Sequence, residues 1–278
     1  MPFGFWPSDF VIPSQTSGVK LLDLTLPTAA ENLALDEALL DVCDGGGPES
    51  LRFWESPERF VVVGYGNRVA TEVNVASCED AGVPILRRCS GGGTVVQGPG
   101  CLNYNVVLRI PEEGPLATVT GTNRFVMERM REALQPLVPA PVVIEGHTDL
   151  GVEYWSDGVV GSDPGLQHST APALRRPVVR KFSGNAQRRR RSALVFHGTL
   201  LLAFDLGSIA QLLVHPTAEP GYRERRGHLD FVANLGIARG AVTRAVASAW
   251  EASAPMAVLP DISAVVAKYR SDDWNQRI

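Results

Sequence analysis

The sequence predicts an α+β fold in which mixed, largely antiparallel sheets are flanked by helices. Two observations carry that expectation: β-rich runs outnumber helical ones, and many neighbouring runs are joined by short turns. A third permits it, since 45% of the 278 residues are apolar, enough for a sizeable core.

Taken in order, residues 1–19 read as an N-terminal arm whose Phe3, Phe5, Trp6 and Phe10 can dock on the body. Residues 19–26 form a first strand. Thr28-Ala29-Ala30-Glu31 is a capping box, Thr28 accepting from the first turn and Glu31 reaching back. Leu33, Ala34, Ala38, Leu39 and Val42 then recur at helical spacing until Gly45-Gly46-Gly47 stops the helix. Residues 50–54 and 59–64 are β-rich and joined by Ser56-Pro57. Residues 70–81 are more helical, and 83–88 return to strand. Residues 94–97 and 102–110 flank Gly98-Pro99-Gly100, a hairpin signal. Over residues 122–135, Phe125, Val126, Met130 and Leu134 share one helical face, and Pro136 marks the end. Short strands follow at 142–144 and 151–155. Residues 156–177, dominated by Gly, Ser, Pro, Asp and His, show no period and read as a long surface loop. Strands resume at 178–182 and 194–204. Helices at 209–213, 240–251 and 262–269 close the chain, and no internal repeat is visible.

Composition excludes several functions. Thirty acidic against 26 basic residues argue against a general nucleic-acid binder. No stretch approaches ~20 uninterrupted apolar residues, so no membrane span is expected. Residues 1–19 lack a basic start, and Pro2, Pro7 and Pro13 interrupt them, so no signal peptide is expected either. Cys43, Cys78, Cys89 and Cys101 form no CxxC pair, which disfavours zinc ligation and a disulfide scaffold. The expectation is a cytoplasmic protein with reduced thiols.

Two constellations carry chemistry. The first is Arg87-Arg88-Cys89-Ser90-Gly91-Gly92-Gly93-Thr94-Val95-Val96. Three glycines let backbone amides turn toward a ligand, and such amides with adjacent guanidiniums suit phosphate or carboxylate. The same residues also suit a Gly-rich hairpin beside surface arginines, and the stretch fits neither the Walker nor the dinucleotide pattern. The second is Arg180-Lys181-Phe182-Ser183-Gly184-Asn185-Ala186-Gln187, which puts a lysine on a strand just before a Ser-Gly-Asn turn. An ammonium there can reach a phosphate or carbonyl oxygen, although an ordinary surface lysine has the same local pattern. Arg188-Arg189-Arg190-Arg191 follows, a solvated face or an attractor for an acidic partner. His197 on an apolar strand and Asp149 after Gly146-His147-Thr148 are candidate polar contacts, each equally at home as a structural residue.

Together these segments resemble the lipoate–protein ligase and octanoyltransferase family, which shares its catalytic fold with biotin–protein ligases. The match is ordered along residues 20–275. It runs through Glu31-Asn32-Leu33-Ala34-Leu35-Asp36-Glu37-Ala38, Leu51-Arg52-Phe53-Trp54, Val62-Val63-Gly64-Tyr65 and the Arg87–Val95 loop. Leu102-Asn103-Tyr104, Asp149-Leu150, the Lys181 segment, His197-Gly198-Thr199-Leu200 and Lys268-Tyr269-Arg270-Ser271-Asp272-Asp273-Trp274-Asn275 complete it.

The resemblance implies a catalytic domain over residues 20–278 and a pocket for an acyl-adenylate. In it, Arg87, Arg88, Ser90, Gly91, Gly92, Gly93 and Thr94 would wrap the acyl chain and phosphate. Lys181 would be catalytic, donating to the acyl carbonyl. Asn103, Ser183, Gly184, Asn185, Ala186, His197, Gly198 and Thr199 would line the pocket, and Asp149 would meet the nucleotide or its magnesium. ATP, magnesium and lipoate are the implied small molecules. The implied partners are lipoyl domains of 2-oxoacid dehydrogenase acyltransferase subunits or glycine cleavage H protein.

Two departures matter. The family loop often continues into His-Asp, where this chain has Gln97-Gly98. The chain also ends soon after Trp274-Asn275, so the accessory domain of larger ligases is expected from a separate polypeptide, or adenylation is not performed. The alternative activity is acyl transfer between carriers through a cysteine thioester, and a non-catalytic binding subunit is a third. The compact cysteine-dependent branch carries its nucleophile near residues 146–149, which here are Gly-His-Thr-Asp, and no cysteine follows Cys101. Cys89 and Cys101 remain as substitutes, and for Cys89 the neighbouring Arg88 cation would lower the thiol pKa; a structural role for Cys89 stays open.

Overall fold

The computed structural model describes residues 18–155, 177–216 and 219–277. Most of the expected N-terminal arm and nearly all of the expected 156–177 loop lie outside the described residues. The elements in order are β1 (Lys20–Asp23), α1 (Ala29–Asp44), β2 (Ser50–Trp54), β3 (Phe60–Val63), α2 (Val69–Glu72), α3 (Val75–Asp80) and β4 (Ile85–Arg87). β5 (Val95–Gln97), β6 (Cys101–Arg109), α4 (Val119–Leu134), β7 (Val142–Glu145), β8 (Asp149–Trp155), β9 (Pro177–Arg189) and β10 (Ala193–Leu201) follow. The chain closes with α5 (Leu206–Leu212), α6 (His228–Phe231), α7 (Arg239–Ala249), β11 (Ala254–Pro255), α8 (Ser263–Arg270) and α9 (Asp272–Asn275).

The fold is the mixed, largely antiparallel α+β arrangement the sequence predicts. Eight strands form one sheet in the order β11-β1-β2-β6-β10-β9-β8-β7, and β4-β3-β5 form a small second one. Among the described strands, β1 pairs in parallel with its two neighbours and β3 with β4, and the other strand pairs are antiparallel. The predicted capping box starts α1: Glu31 N–H donates to Thr28 Oγ1 at 3.3 Å, and Thr28 N–H to Glu31 Oε2 at 3.0 Å.

Strand alternation divides the large sheet between two cores. Leu102, Tyr104, Val106 and Leu108 of β6 face α4 and α7, meeting Val126, Met130, Val242 and Val246. Val107 and Val195 face the other way, against Leu35, Leu39 and Leu40 of α1. α1 is buried on a second side as well, where Leu33 and Ala34 meet Phe60 and Val62 of the small sheet. The small sheet therefore rides over the α1 face of the large one. The space between them becomes the cavity.

Three sequence expectations need correction. Gly98-Pro99-Gly100 does not close a hairpin: β5 pairs with β3, while β6 pairs with β2 and β10. The turn carries the chain from one sheet to the other, and Gly100 is required there. Its φ is +82°, and a Cβ would stand 2.3 Å from the Ala203 carbonyl oxygen. Residues 70–81 form two short helices, because extended Val73 bridges to Leu213 and Asn74 caps a fresh start by accepting from Ser77 N–H. The Ser183-Gly184-Asn185 stretch is no turn, since β9 runs on to Arg189. No helix among the described residues is long and apolar enough to cross a membrane.

Candidate active site

A bulge in β9 builds the site. Ser183 stands opposite Leu150 and Lys181 opposite Gly151, leaving Phe182 as an extra residue against β8. Residues 181 and 184 are an odd number apart, so a regular strand would put them on opposite faces. The extra residue returns both to one face, as bulges do when they re-aim a side chain. Asp149 is the cross-strand partner of Gly184, and its Oδ1 lies 2.8 Å from Lys181 Nζ. A Cβ at position 184 would come within 2.9 Å of that ammonium, so the glycine makes room for the lysine. Asp149 and Thr199 meet the two edges of Gly184, and His197 pairs with Ala186 two positions along.

These residues line a cavity of ≈ 660 Å³ between the sheets. Of the site residues expected from sequence, Arg88, Gly92, Gly93, Thr94, Asn103, Asp149 and Lys181 line it. So do Ser183, Gly184, Asn185, Ala186, His197, Gly198 and Thr199. Asn185 is held in place: its Oδ1 accepts from Tyr104 Oη at 2.6 Å, and its Nδ2 donates to the Thr148 carbonyl at 2.7 Å. Gly198 leaves space for that amide, because a Cβ there would fall 1.7 Å from Asn185 Oδ1.

The two loop arginines are braces rather than open anion ligands. Arg87 is fully buried and does not line the cavity, so its expected ligand contact is corrected. Its guanidinium donates to the carbonyls of Gly64, Tyr65 and Asn67 and to those of Trp274, Asn275 and Arg277. This pins the C-terminal segment beneath the loop. Ser90, which is buried, and Gly91, which is exposed, do not line the cavity. Arg88 donates through Nη2 to Gly91 O at 2.6 Å and to Gly93 O at 2.7 Å. With those carbonyls turned inward, the amides of Gly91, Gly92 and Gly93 have no acceptor among the described residues. An anion cradle needs that arrangement.

The run Arg188–Arg191 is likewise not one solvated face. Arg188 lies over the Tyr65 ring, Arg189 donates to the Leu116 and Ala117 carbonyls, and Arg190 pairs with Glu37 and Asp41.

The family is decided by residues 28–245, which match the lipoyl protein ligase A/B catalytic domain. The chain belongs to that family. A protein of Aeropyrum pernix named provisionally as a lipoate-protein ligase A is 31% identical over 185 residues. That match covers 66% of this chain and 57% of the relative, so the chain spans little more than half of it. An octanoyltransferase LipM of Brevibacillus brevis is 24% identical over 268 residues, covering 89% of this chain and 95% of that one. A bi-partite lipoate protein ligase from Thermoplasma acidophilum shares the fold, with a TM-score of 0.72 at 21% identity over 93% of this chain and 96% of that chain.

For a lipoyl ligase A/B domain the thiols are instructive. All four cysteines are buried. Burial pushes Cys89 up to about 12, and Cys101 likewise up to about 12. The lowering of Cys89 expected from Arg88 is therefore overturned: desolvation wins, and the guanidinium is turned into the loop. Asp149 as a magnesium ligand fits only in part. Its two oxygens already serve Lys181 and Tyr222, and no group of three acidic, His or Cys side chains among the described residues surrounds a metal position. Magnesium on Asp149 would take its remaining ligands from triphosphate oxygens, as such ions commonly do.

Among the cavity residues that sequence reasoning missed are three charged ones, Glu72, Glu219 and Arg223. Glu72 holds the loop, its Oε2 accepting from Asn67 Nδ2 at 2.8 Å, Thr94 N–H at 3.2 Å and the Thr94 hydroxyl. Glu219 and Arg223 line the cavity from the segment between α5 and α6, which carries no periodic pattern. Only their charge could have flagged them.

His197 offers a stability test. Burial, reinforced by Arg88, lowers its pKa from 6.5 to about 3, so the folded imidazole is neutral. Ser90 Oγ accepts from Arg88 Nε at 3.1 Å and is also hydrogen-bonded to His197 Nε2. The unfolded chain binds a proton on this histidine below pH ~6.5 and the folded chain does not until pH ~3. Stability from this residue is thus complete above pH ~6.5 and lost as pH falls through that window. Urea unfolding at pH 7 and pH 4 should show wild type losing on the order of 2–4 kcal/mol more than His197→Gln. Equal losses would refute the assignment.

Proposed function

We propose that this chain is a lipoate–protein ligase in which residues 20–278 form the catalytic domain. Lipoate carboxylate attacks the α-phosphate of ATP and releases pyrophosphate. The target lysine amine of a carrier domain then attacks the mixed anhydride, forming the amide and releasing AMP. Lys181 donates to the acyl oxygen as charge builds there, in the manner of an oxyanion hole. The unbonded amides of the glycine loop offer donors to the phosphate. The carriers are lipoyl domains of 2-oxoacid dehydrogenases or the glycine cleavage H protein.

One observation carries the choice of ligase. A thioester route needs an accessible thiolate, and every cysteine of the sequence is buried, with Cys89 and Cys101 pushed up to about 12. The likeness to LipM over 95% of that protein favours a second reading, octanoyl or lipoyl transfer between carriers. The bi-partite nature of the Thermoplasma ligase supports a separate accessory polypeptide here.

The test follows the mass of an apo lipoyl domain incubated with protein, ATP, magnesium and lipoate. A gain of one lipoyl group is expected. A gain only with octanoyl-carrier protein would replace the ligase by the transferase. No gain with either, alongside measurable lipoyl-AMP binding, would leave a binding subunit.

A further inference from the structure

Tyr222 reaches the centre of the site from a segment with no sequence signature. Its Oη donates to Asp149 Oδ2 at 2.8 Å, while Asp149 Oδ1 holds Lys181 Nζ at 2.8 Å. The three side chains form a chain of contacts from the segment over the cavity to the ammonium. Each oxygen of the carboxylate is thereby assigned one donor, which fixes the plane of the group.

The tyrosine is itself well held. Its ring packs on Phe231 with centroids 5.2 Å apart. Its carbonyl accepts from Arg226 Nη2 at 2.7 Å, and Arg226 Nη1 donates to the Val179 carbonyl at 2.9 Å. Farther along the same segment, Ala233 N–H donates to the Lys181 carbonyl at 2.9 Å. The segment is thus tied to β9 at Val179 and at Lys181 itself. Burial and the Asp149 charge push the phenol well above its ordinary range, so it stays protonated and donates to the carboxylate.

We propose that Tyr222 is a positioning residue, holding Asp149 so that the carboxylate holds the Lys181 ammonium at the reacting acyl carbon. The proposal rests on the ligase reading. A lysine has four rotatable bonds, and Gly184 sets no side chain of its own against the ammonium. Among the described residues Asp149 alone restrains that ammonium, and a carboxylate anchored at one oxygen can swing about its own bond. Removing the phenolic hydroxyl leaves the pocket's shape nearly unchanged and releases that swing. The loss should appear in turnover more than in binding.

The experiment measures transfer from preformed lipoyl-AMP to an apo lipoyl domain by wild type, Tyr222→Phe, Asp149→Asn and the double variant. Supplying the adenylate separates this step from activation. Tyr222→Phe should lower kcat about ten-fold or more, the scale of a hydrogen bond to a charged group, with KM for lipoyl-AMP changed less than about twofold. In the Asp149→Asn background the same substitution should cost less than about twofold, because residues acting through one another are non-additive. Undiminished kcat in Tyr222→Phe, or a full further loss in the Asp149→Asn background, would overturn the proposal. Wild type inactive on lipoyl-AMP would instead sink the ligase reading beneath it. The double-variant arm separates positioning from a general loss of packing, which would add in both backgrounds.

Discussion

Lys181→Ala is expected to lower lipoyl transfer by ~10²–10³, the usual cost of removing one donor aimed at a developing oxyanion. The fold should survive. Lys181 sits on the cavity face of β9 with its side chain 24% exposed, so its truncation opens no cavity in either core. Asp149 loses its cation but keeps the Tyr222 hydroxyl, and its own side chain is partly open to water. The expected pattern is a near-native melting temperature, retained lipoyl-AMP binding and a collapse in single-turnover transfer. Lys181→Arg should not restore it. A guanidinium is longer than an ammonium, and the free space at this point is what Gly184 leaves, where even a Cβ would come 2.9 Å from Nζ. Unchanged turnover in Lys181→Ala would remove the lysine from the mechanism.

The lysine itself was legible in the sequence, and its geometry was not. Local pattern put Lys181 on a strand, but the Ser-Gly-Asn that follows reads as a turn by composition. In the folded chain those residues are strand, and the irregularity lies at Phe182, an apolar residue with no turn signal. Bulges are set by the register of the partner strand, which a single run of residues does not display. The same holds for Gly98-Pro99-Gly100. A turn was legible there, while the sheet each flanking strand would join depended on long-range pairing.

Helices with local determinants read more faithfully. α1 begins at its capping box and ends at Gly45, both visible in sequence. α4 starts three residues earlier than its apolar face predicts, because Thr118 caps it by accepting from Gly121 N–H. At the site, the glycine loop's place in the cavity wall was legible and the direction of its arginines was not. A guanidinium satisfies ligand anions and backbone carbonyls equally well by type. Only the folded chain shows that Arg87 and Arg88 chose carbonyls.

Arg52→Met is expected to cost about 3–5 kcal/mol of stability, the range for breaking a buried ion pair by removing one partner. Arg52 is fully buried on β2. Its guanidinium donates to Asp36 Oδ1 at 2.6 Å, Asn32 Oδ1 at 2.6 Å, Asn32 O at 2.8 Å and Leu24 O at 3.0 Å. One side chain therefore joins β2, α1 and the chain just after β1, and Trp54 Nε1 completes the Asp36 carboxylate at 3.1 Å. Methionine matches the stem and takes the guanidinium away from all four acceptors, of which Asn32 Oδ1 keeps the Leu26 N–H at 2.9 Å. Arg52→Lys should recover little, since a point ammonium cannot span four acceptors held apart. Burial pushes the Asp36 carboxyl up even with Arg52 beside it. Without the cation, the folded state gains by protonating Asp36, so the deficit should shrink as pH falls from 8 to 5. Urea midpoints at the two pH values, with an unchanged slope, check both parts. A deficit below about 1 kcal/mol at pH 8 would mean that Asn32 and Asp36 find other donors, and that α1 is held to β2 by its apolar contacts alone. Because Asp36 and Trp54 also line the cavity, the expected loss ties the shape of the cavity to the same buried guanidinium that holds α1 to the sheet.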